Sequence, residues 1–230
     1  MIEKNKCECS DCEFRHVAFS TLMDNEISRL CDYRREIRFP RGGIIHKEGD
    51  PIQEFKYLQK GLVKVYRNSQ SGEEQIITIT RPFDFVSNIS IFSEQEYQYS
   101  VMAIEDTVIC SIRLDHIRSL VTGNGSFGLE LMTKISSITD KIILQSLDIR
   151  NRNLAGRVAY ILIYFARDVY QSMVFELPVS RKEIADYISM STANVIRTLS
   201  DFRRDGVINL FGKTVEIINI EKLEMISSRG

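Results

Sequence analysis

The sequence predicts an α+β chain in three successive parts: a compact all-β unit, one long helix, and a small helical domain closed by a hairpin. Three observations lead there. Between Arg35 and Cys110, short runs of strand length alternate with glycine-containing turns. After Gly123-Asn124-Gly125, apolar residues at helical spacing continue without a breaker to Arg150. From Ser180 to Ile218, two short helical patterns, a polar turn and a hairpin follow one another.

Composition sets the bounds. The chain has 230 residues, 43 % hydrophobic and 27 % charged, ordinary for a globular protein of one or two domains. No apolar run reaches membrane-spanning length, and Met1-Ile2-Glu3-Lys4-Asn5-Lys6 lacks the apolar core of a signal peptide, so a cytoplasmic protein without a membrane span is expected. The net charge of −1 does not mark a partner of polyanions, but the charge is uneven: from Asn151 onward there are 11 Lys/Arg against 9 Asp/Glu. Binding to an anion must therefore rest on local placement of cations. No nucleophile–base constellation, phosphate-cradling loop or acid–base carboxylate pair is visible, and His16, His46 and His116 are scattered; enzymatic activity is not expected.

Taken in order, residues Lys6 to Phe19 are polar and carry three cysteines, and Asp24 to Cys31 reads as a short helix. Strand-like runs follow at Ile37–Phe39, Ile44–His46, Phe55–Gln59, Leu62–Tyr66, Gln75–Thr80, Val101–Ala103 and Val108–Ile112, punctuated by Gly42-Gly43, Gly49-Asp50, Lys60-Gly61 and Ser71-Gly72. Short strands at this spacing predict a sandwich or roll. In the long helix Leu131, Ile135, Ile138, Ile142, Gln145 and Ile149 alternate at four- and three-residue intervals. Such a seam predicts pairing with a second copy, with Gln145 setting register. A second apolar set, Leu129, Met132, Ile143, Leu144 and Leu147, is then expected to face the chain's own domains. The competing reading is a single helix buried in a monomer. Asn151 to Asn153 interrupt the pattern, and Leu154 to Tyr170 reads as a new helix with Val158, Ile161, Leu162 and Phe165 on one face.

The last segment is the most specific. Ser180 with Glu183 three residues on makes a capping box, and Ile184, Ala185 and Ile188 form one apolar face. Ser189 to Ser191 break the helix, and Ser191 caps the next, in which Val195, Ile196, Leu199 and Phe202 are expected to be buried. Gly212-Lys213 reads as a hairpin tip between Val207–Leu210 and Thr214–Ile218. This is the pattern of a winged helix-turn-helix, whose second helix enters a DNA major groove. Arg181, Lys182, Ser191, Thr192, Asn194, Arg197 and Lys213 are the candidate DNA contacts. The alternative is a small helical domain with a hairpin and no nucleic-acid role.

With FPRGGIIHKEGD and YLQKGLVKVYR in the all-β unit, GRVAYILIYFA at the junction and SRKEIADYISMSTANVIRTLSDFRRDGVI near the end, the chain resembles the Crp/Fnr family of transcription regulators over nearly its whole length. The resemblance implies a cyclic-nucleotide-binding-like β-roll, a dimerisation helix and a winged helix-turn-helix. It further implies a homodimer on a palindromic operator in double-stranded DNA, and contact with RNA polymerase. The expected division is residues 1–20 as a cysteine-bearing segment, 21–122 as the roll, 123–150 as the dimerisation helix and 151–230 as the DNA-binding domain. Arg197 matches the family's guanine-reading arginine. Thr192 and Ala193 stand where well-known members carry a pair ending in glutamate, so a different half-site is expected.

The same resemblance bears on the signal. Ser87-Asn88 replace the family's Gly-Glu, and Gln98-Tyr99 replace the Arg-Ser that neutralises the cyclic phosphate. Tight binding of cyclic AMP is therefore not expected, and Ser87, Asn88, Gln98 and Tyr99 become candidates to line a pocket for another small effector. Cys7, Cys9, Cys12 and Cys110 resemble the four-thiolate set that holds a [4Fe-4S] cluster in the oxygen-sensing branch. Two features depart from that pattern: the Cys-x-Cys spacing, and Ala18 where a further ligand stands in the branch. Zinc, with His16 as a ligand, or no metal at all are the alternatives. Cys31 is read as a small buried residue, and disulfides are not expected in a cytoplasmic protein. A ligand-sensing regulatory module that does not bind DNA is the competing function.

Overall fold

The structure, a computed structural model, describes residues 19–70, 72–82 and 91–228. These fall into two compact units, one comprising Met1–Asn68 and Ile77–Lys141, the other Ser69–Ile76 and Ile142–Gly230, so the division falls inside the long helix.

The first unit opens with α1 (Asp24–Asp32) and continues through β1 (Arg34–Phe39), β2 (Ile44–His46), β3 (Glu54–Lys60), β4 (Val63–Asn68), β5 (Glu74–Thr80), β6 (Ser100–Ala103) and β7 (Thr107–Arg113). The strands form two antiparallel sheets, ordered β1-β7-β3 and β2-β6-β4-β5. Strand alternation builds two cores from one sheet. Phe55 and Tyr57 of β3, with Cys110 and Ile112 of β7, enter a cluster with Phe19, Leu22 and Leu30. Leu58 and Ile109, one residue out of phase, enter the other with Val63, Val65 and Val101. Gly61 turns β3 into β4 at φ +90°, and a Cβ there would stand 2.5 Å from the Asp106 carbonyl oxygen, so only glycine fits.

Two helices close this unit: α2 (Leu114–Gly123) and the first part of α3 (Gly125–Arg150). The sequence reading missed α2. It starts directly where β7 ends and its first turn has no side-chain cap, although Leu114 and Ile117 are buried at helical spacing. The start of α3 is pinned to the chain that leads into α1. Phe19 stacks on Phe127 with centroids 5.6 Å apart. The Glu130 carboxylate accepts from the backbone N–H groups of Ser20 and Thr21, both at 3.2 Å, and from both their hydroxyls, each at 2.5 Å. Burial pushes its pKa up, but the hydrogen bonds from Ser20 and Thr21 outweigh this and hold it below the usual range.

The two stripes of α3 face opposite to the sequence expectation. Leu131 is only 1 % exposed in the first core, with Ile135 and Ile138 packed against the same cluster. In the second unit Gln145 and Ile149 are buried, and Gln145 hydrogen-bonds the Tyr160 hydroxyl. The seam expected to pair with another copy, with Ile142 half-buried between these stretches, is thus largely the inward face. Leu129, Met132, Ile143, Leu144 and Leu147, expected inside, are 49–63 % exposed. Both stripes are apolar, so periodicity alone cannot set the helix's rotation; the neighbouring Phe127 and Glu130 contacts do.

The second unit continues with α4 (Leu154–Tyr164), β8 (Val174–Glu176), α5 (Arg181–Tyr187), α6 (Thr192–Arg204), β9 (Ile208–Phe211), β10 (Thr214–Ile217) and α7 (Ile220–Ser228). The helix expected to run to Tyr170 is α-helical only to Tyr164 and then widens into a π-helical turn, Phe165–Val169. The sheet is ordered β8-β10-β9. Helix α7, also missed, packs on α4 with Leu223 fully buried, and the Asn219 side chain caps it by accepting from the Lys222 N–H at 2.8 Å. Ile196, expected in the core, is 52 % exposed, because Val195, Leu199 and Phe202 already fill the inward face of α6.

Candidate nucleic-acid interface

The helix-turn-helix is built as its caps dictate. Ser180 Oγ accepts from the Glu183 N–H at 3.2 Å, and Glu183 Oε2 accepts from the Ser180 N–H at 2.9 Å, which starts α5. The turn passes through Ser189 at φ +53°, a left-handed conformation rare for a residue with a Cβ. Ser191 Oγ then accepts from the Asn194 N–H at 3.2 Å and starts α6. Burial of Val195, Leu199 and Phe202 turns the opposite face of α6 outward.

Arg197 is exposed, and Thr192 and Asn194 are part-exposed on the same helix. The Arg197 guanidinium donates to Asn194 Oδ1 at 3.2 Å, one turn back, so the amide orients the fork. This face offers a hydroxyl, an amide and a guanidinium, groups that read base edges, the last two bidentately. Lys182 and Lys213 are exposed. Arg181, part-exposed, donates to the Gly212 carbonyl at 2.8 Å and ties the hairpin tip to the start of α5. The tip turns at Gly212, φ +64°. Beside it Phe211 is 65 % exposed, an aromatic that no periodicity marks as a surface residue.

The candidate effector residues do not come together among the described residues. Ser87 and Asn88 lie outside them. Gln98 is exposed and donates to the Glu96 carbonyl at 3.4 Å, whereas Tyr99, next to it in the bend before β6, is buried in the second core. Close by lies a buried histidine. His46 stacks on Tyr97 at 3.6 Å, and among the described residues neither of its ring nitrogens has a hydrogen-bond partner. Burial, aided by the Lys56 charge, lowers its pKa to about 3 and keeps it neutral. Burial likewise lowers the Lys56 amine, against the pull of Glu54 at 3.7 Å.

Of the candidate metal ligands, Cys7, Cys9 and Cys12 lie outside the described residues, as does His16. Cys110 is fully buried in the cluster that holds Tyr57 and Ile112. Cys31 departs from the expectation of no disulfides: it is disulfide-bonded and only half-buried at the end of α1, on the edge of the core that holds Cys110. Among the described residues no group of three His, Cys, Asp or Glu side chains is placed to hold a metal ion.

A β-roll, a long helix and a winged helix-turn-helix in this order are the architecture of a DNA-binding transcription regulator. Residues 36–124 match the cyclic nucleotide-binding domain and residues 156–226 the Crp-like helix-turn-helix domain, together more than half of the chain. The chain belongs to the Crp/Fnr family. It is 25 % identical over 228 residues to electron transport regulator A of Shewanella oneidensis, covering 96 % of this chain and 91 % of that protein. It is 27 % identical over 209 residues to a CRP-like cAMP-activated global transcriptional regulator of Mycobacterium tuberculosis, covering 89 % and 93 %. Among solved structures, FixK2 of Bradyrhizobium japonicum superposes with a TM-score of 0.75 at 20 % identity, over 85 % of this chain and 98 % of that one. No helix among the described residues is long and apolar enough to cross a membrane.

Proposed function

We propose that the protein acts as a homodimer that reads a palindromic operator with the exposed face of α6 and carries a signal from the roll to that helix. The observation behind this reading is the Arg197–Asn194 pair, an oriented guanidinium on the outward face of a helix whose other side is buried. The exposed stripe Leu129, Met132, Ile143, Leu144 and Leu147 supports pairing, because water is a poor neighbour for five large apolar side chains on one helix. Selection of bound duplexes from a randomised pool, repeated with Arg197→Ala, tests the reading. The substitution should erase preference at one base pair of each half-site, at about 1–3 kcal/mol. An unchanged preference would remove α6 from the role of reader.

Cyclic AMP is not the proposed signal. With Gln98 exposed and Tyr99 in the core, neither supplies a fixed cation for a buried phosphate. Equilibrium dialysis with cyclic AMP should show no tight binding. Redox sensing is the second reading, favoured by Cys110 and Cys31 sharing one apolar cluster with Phe19, where the described chain begins. A [4Fe-4S] cluster would take Cys7, Cys9, Cys12 and Cys110 as thiolates and supply oxygen sensitivity; dithiol–disulfide exchange at Cys31 is the competing chemistry. Iron and sulfide content of protein purified without oxygen, set against thiol counts before and after reduction, separates the two. Contact with RNA polymerase belongs to the same proposal and is read by transcription from an operator-bearing template in vitro.

A further inference from the structure

We infer that Arg157 is a positioning residue that sets the angle of the helix-turn-helix on the end of the long helix. Its guanidinium donates to four carbonyls. Nε reaches Arg152 O at 3.0 Å, and Nη2 reaches Arg150 O at 3.1 Å. Nη1 reaches Ile188 O and Ser189 O, both at 3.2 Å. The first pair belongs to the last turn of α3 and the link after it; the second pair ends α5 and enters the left-handed turn before α6. All of these groups lie within one compact unit.

Both ends are helix C-termini, where carbonyls lack intrahelical partners and the dipole is negative. A cation placed between them satisfies both ends at once. Only a planar fork can do so: five donors in fixed directions span four oxygens, whereas an ammonium offers three donors from a single point. The contact leaves Arg197 and the outward face of α6 untouched, so the two residues divide the work. Arg197 reads bases, and Arg157 fixes where that reader stands relative to the helix that pairs with a second copy. In a symmetric dimer this angle becomes the distance between half-sites.

This inference rests on the homodimer reading, and the experiment keeps the two apart. Full-length wild type, Arg157→Lys and Arg157→Gln are titrated on palindromes whose half-sites are moved apart or together by single base pairs, and on a duplex with one half-site. Wild type should prefer one spacing. Both variants should keep the base preference within the half-site but lose spacing discrimination by about tenfold, the scale of one charge-assisted hydrogen bond lost. A merely structural role would lower thermal stability and leave the ratio between spacings intact, and that result overturns the inference. Loss of the folded state in both variants, seen by circular dichroism, overturns it too, because the guanidinium would then be a stability element. Wild type that is itself indifferent to spacing refutes the homodimer reading, and the role of Arg157 falls with it.

Discussion

Replacing Leu144 by alanine separates the two apolar stripes of the long helix. Leu144 is 60 % exposed in the single chain, so its truncation should leave the folded protomer nearly unchanged, while a second copy docked on this stripe would cover it. Leu→Ala removes about 2 kcal/mol of apolar burial when the side chain is fully covered. In a two-fold pair the substitution occurs on both sides, so the dimer loses about 4 kcal/mol, or about 2 if the stripe is only half covered. That is a dissociation constant weaker by about 30- to 1000-fold. Sedimentation equilibrium reads it, with urea unfolding on the same samples. Gln145→Ala is the control. Gln145 is 8 % exposed and bonded to Tyr160 within the chain, so its loss should cost about 1 kcal/mol of folding stability and leave dimerisation alone. The reverse pattern, with Gln145→Ala dissociating the dimer and Leu144→Ala silent, would refute the orientation of α3 and restore Leu131 to Ile149 as the pairing seam.

Three further outcomes follow from single residues. Ser189→Gly should stabilise the protein by about 1 kcal/mol in urea unfolding, since the left-handed φ of +53° disfavours any side chain; a destabilised variant would show that the hydroxyl matters more than the backbone. His46 has a pKa lowered from 6.5 to about 3, so the unfolded chain takes up a proton below 6.5 that the folded chain refuses until about 3. Stability should therefore fall as pH is lowered through that window, by up to about 1.4 kcal/mol per pH unit. His46→Phe should flatten this loss, and parallel losses in both proteins would assign it elsewhere. Lys213→Ala should reduce the slope of log affinity against log salt by about 0.9 if the hairpin tip meets a phosphate, and leave it unchanged otherwise.

How far the sequence could be read depended on the range of the interaction. Ser180 with Glu183, and Ser191 with Asn194, are local caps, and the helices they start lie where the spacing places them. The strands were legible for the same reason: alternation and glycine turns act over a few residues. The rotation of α3 was not legible, since Leu131 and Leu144 are equally apolar and only distant Phe19, Ser20 and Thr21 decide which side faces in. Gln98 and Tyr99, paired as pocket candidates from their sequence position, diverge: in the bend before β6 one is exposed and the other enters the second core. Arg157 stands in the junction motif GRVAYILIYFA, but nothing there points to its partners. Its partners at Arg150 and Ile188 are carbonyls, which every residue has, brought together only by the folded domain. The hydrogen-bonded serine of α7, Ser227, is tied to Arg152 across the same domain and was equally invisible.

The Glu130 carboxylate has a consequence for how α3 can behave. A helix with two greasy sides has no strong preference about which one it shows; hydrophobicity is nearly blind to a turn about its own axis. Polar bonds are not blind, because they have direction. Four donors from two adjacent residues meet one carboxylate, and they do so at a single setting of the helix, with Leu131 in and Leu129 out. Ser20 and Thr21 thus act as an indexing pin. In the sequence the pin directly follows the cysteine-bearing stretch Lys6 to Phe19, so under the proposed pairing the side of α3 that meets a second copy is set by residues close along the chain to Cys12.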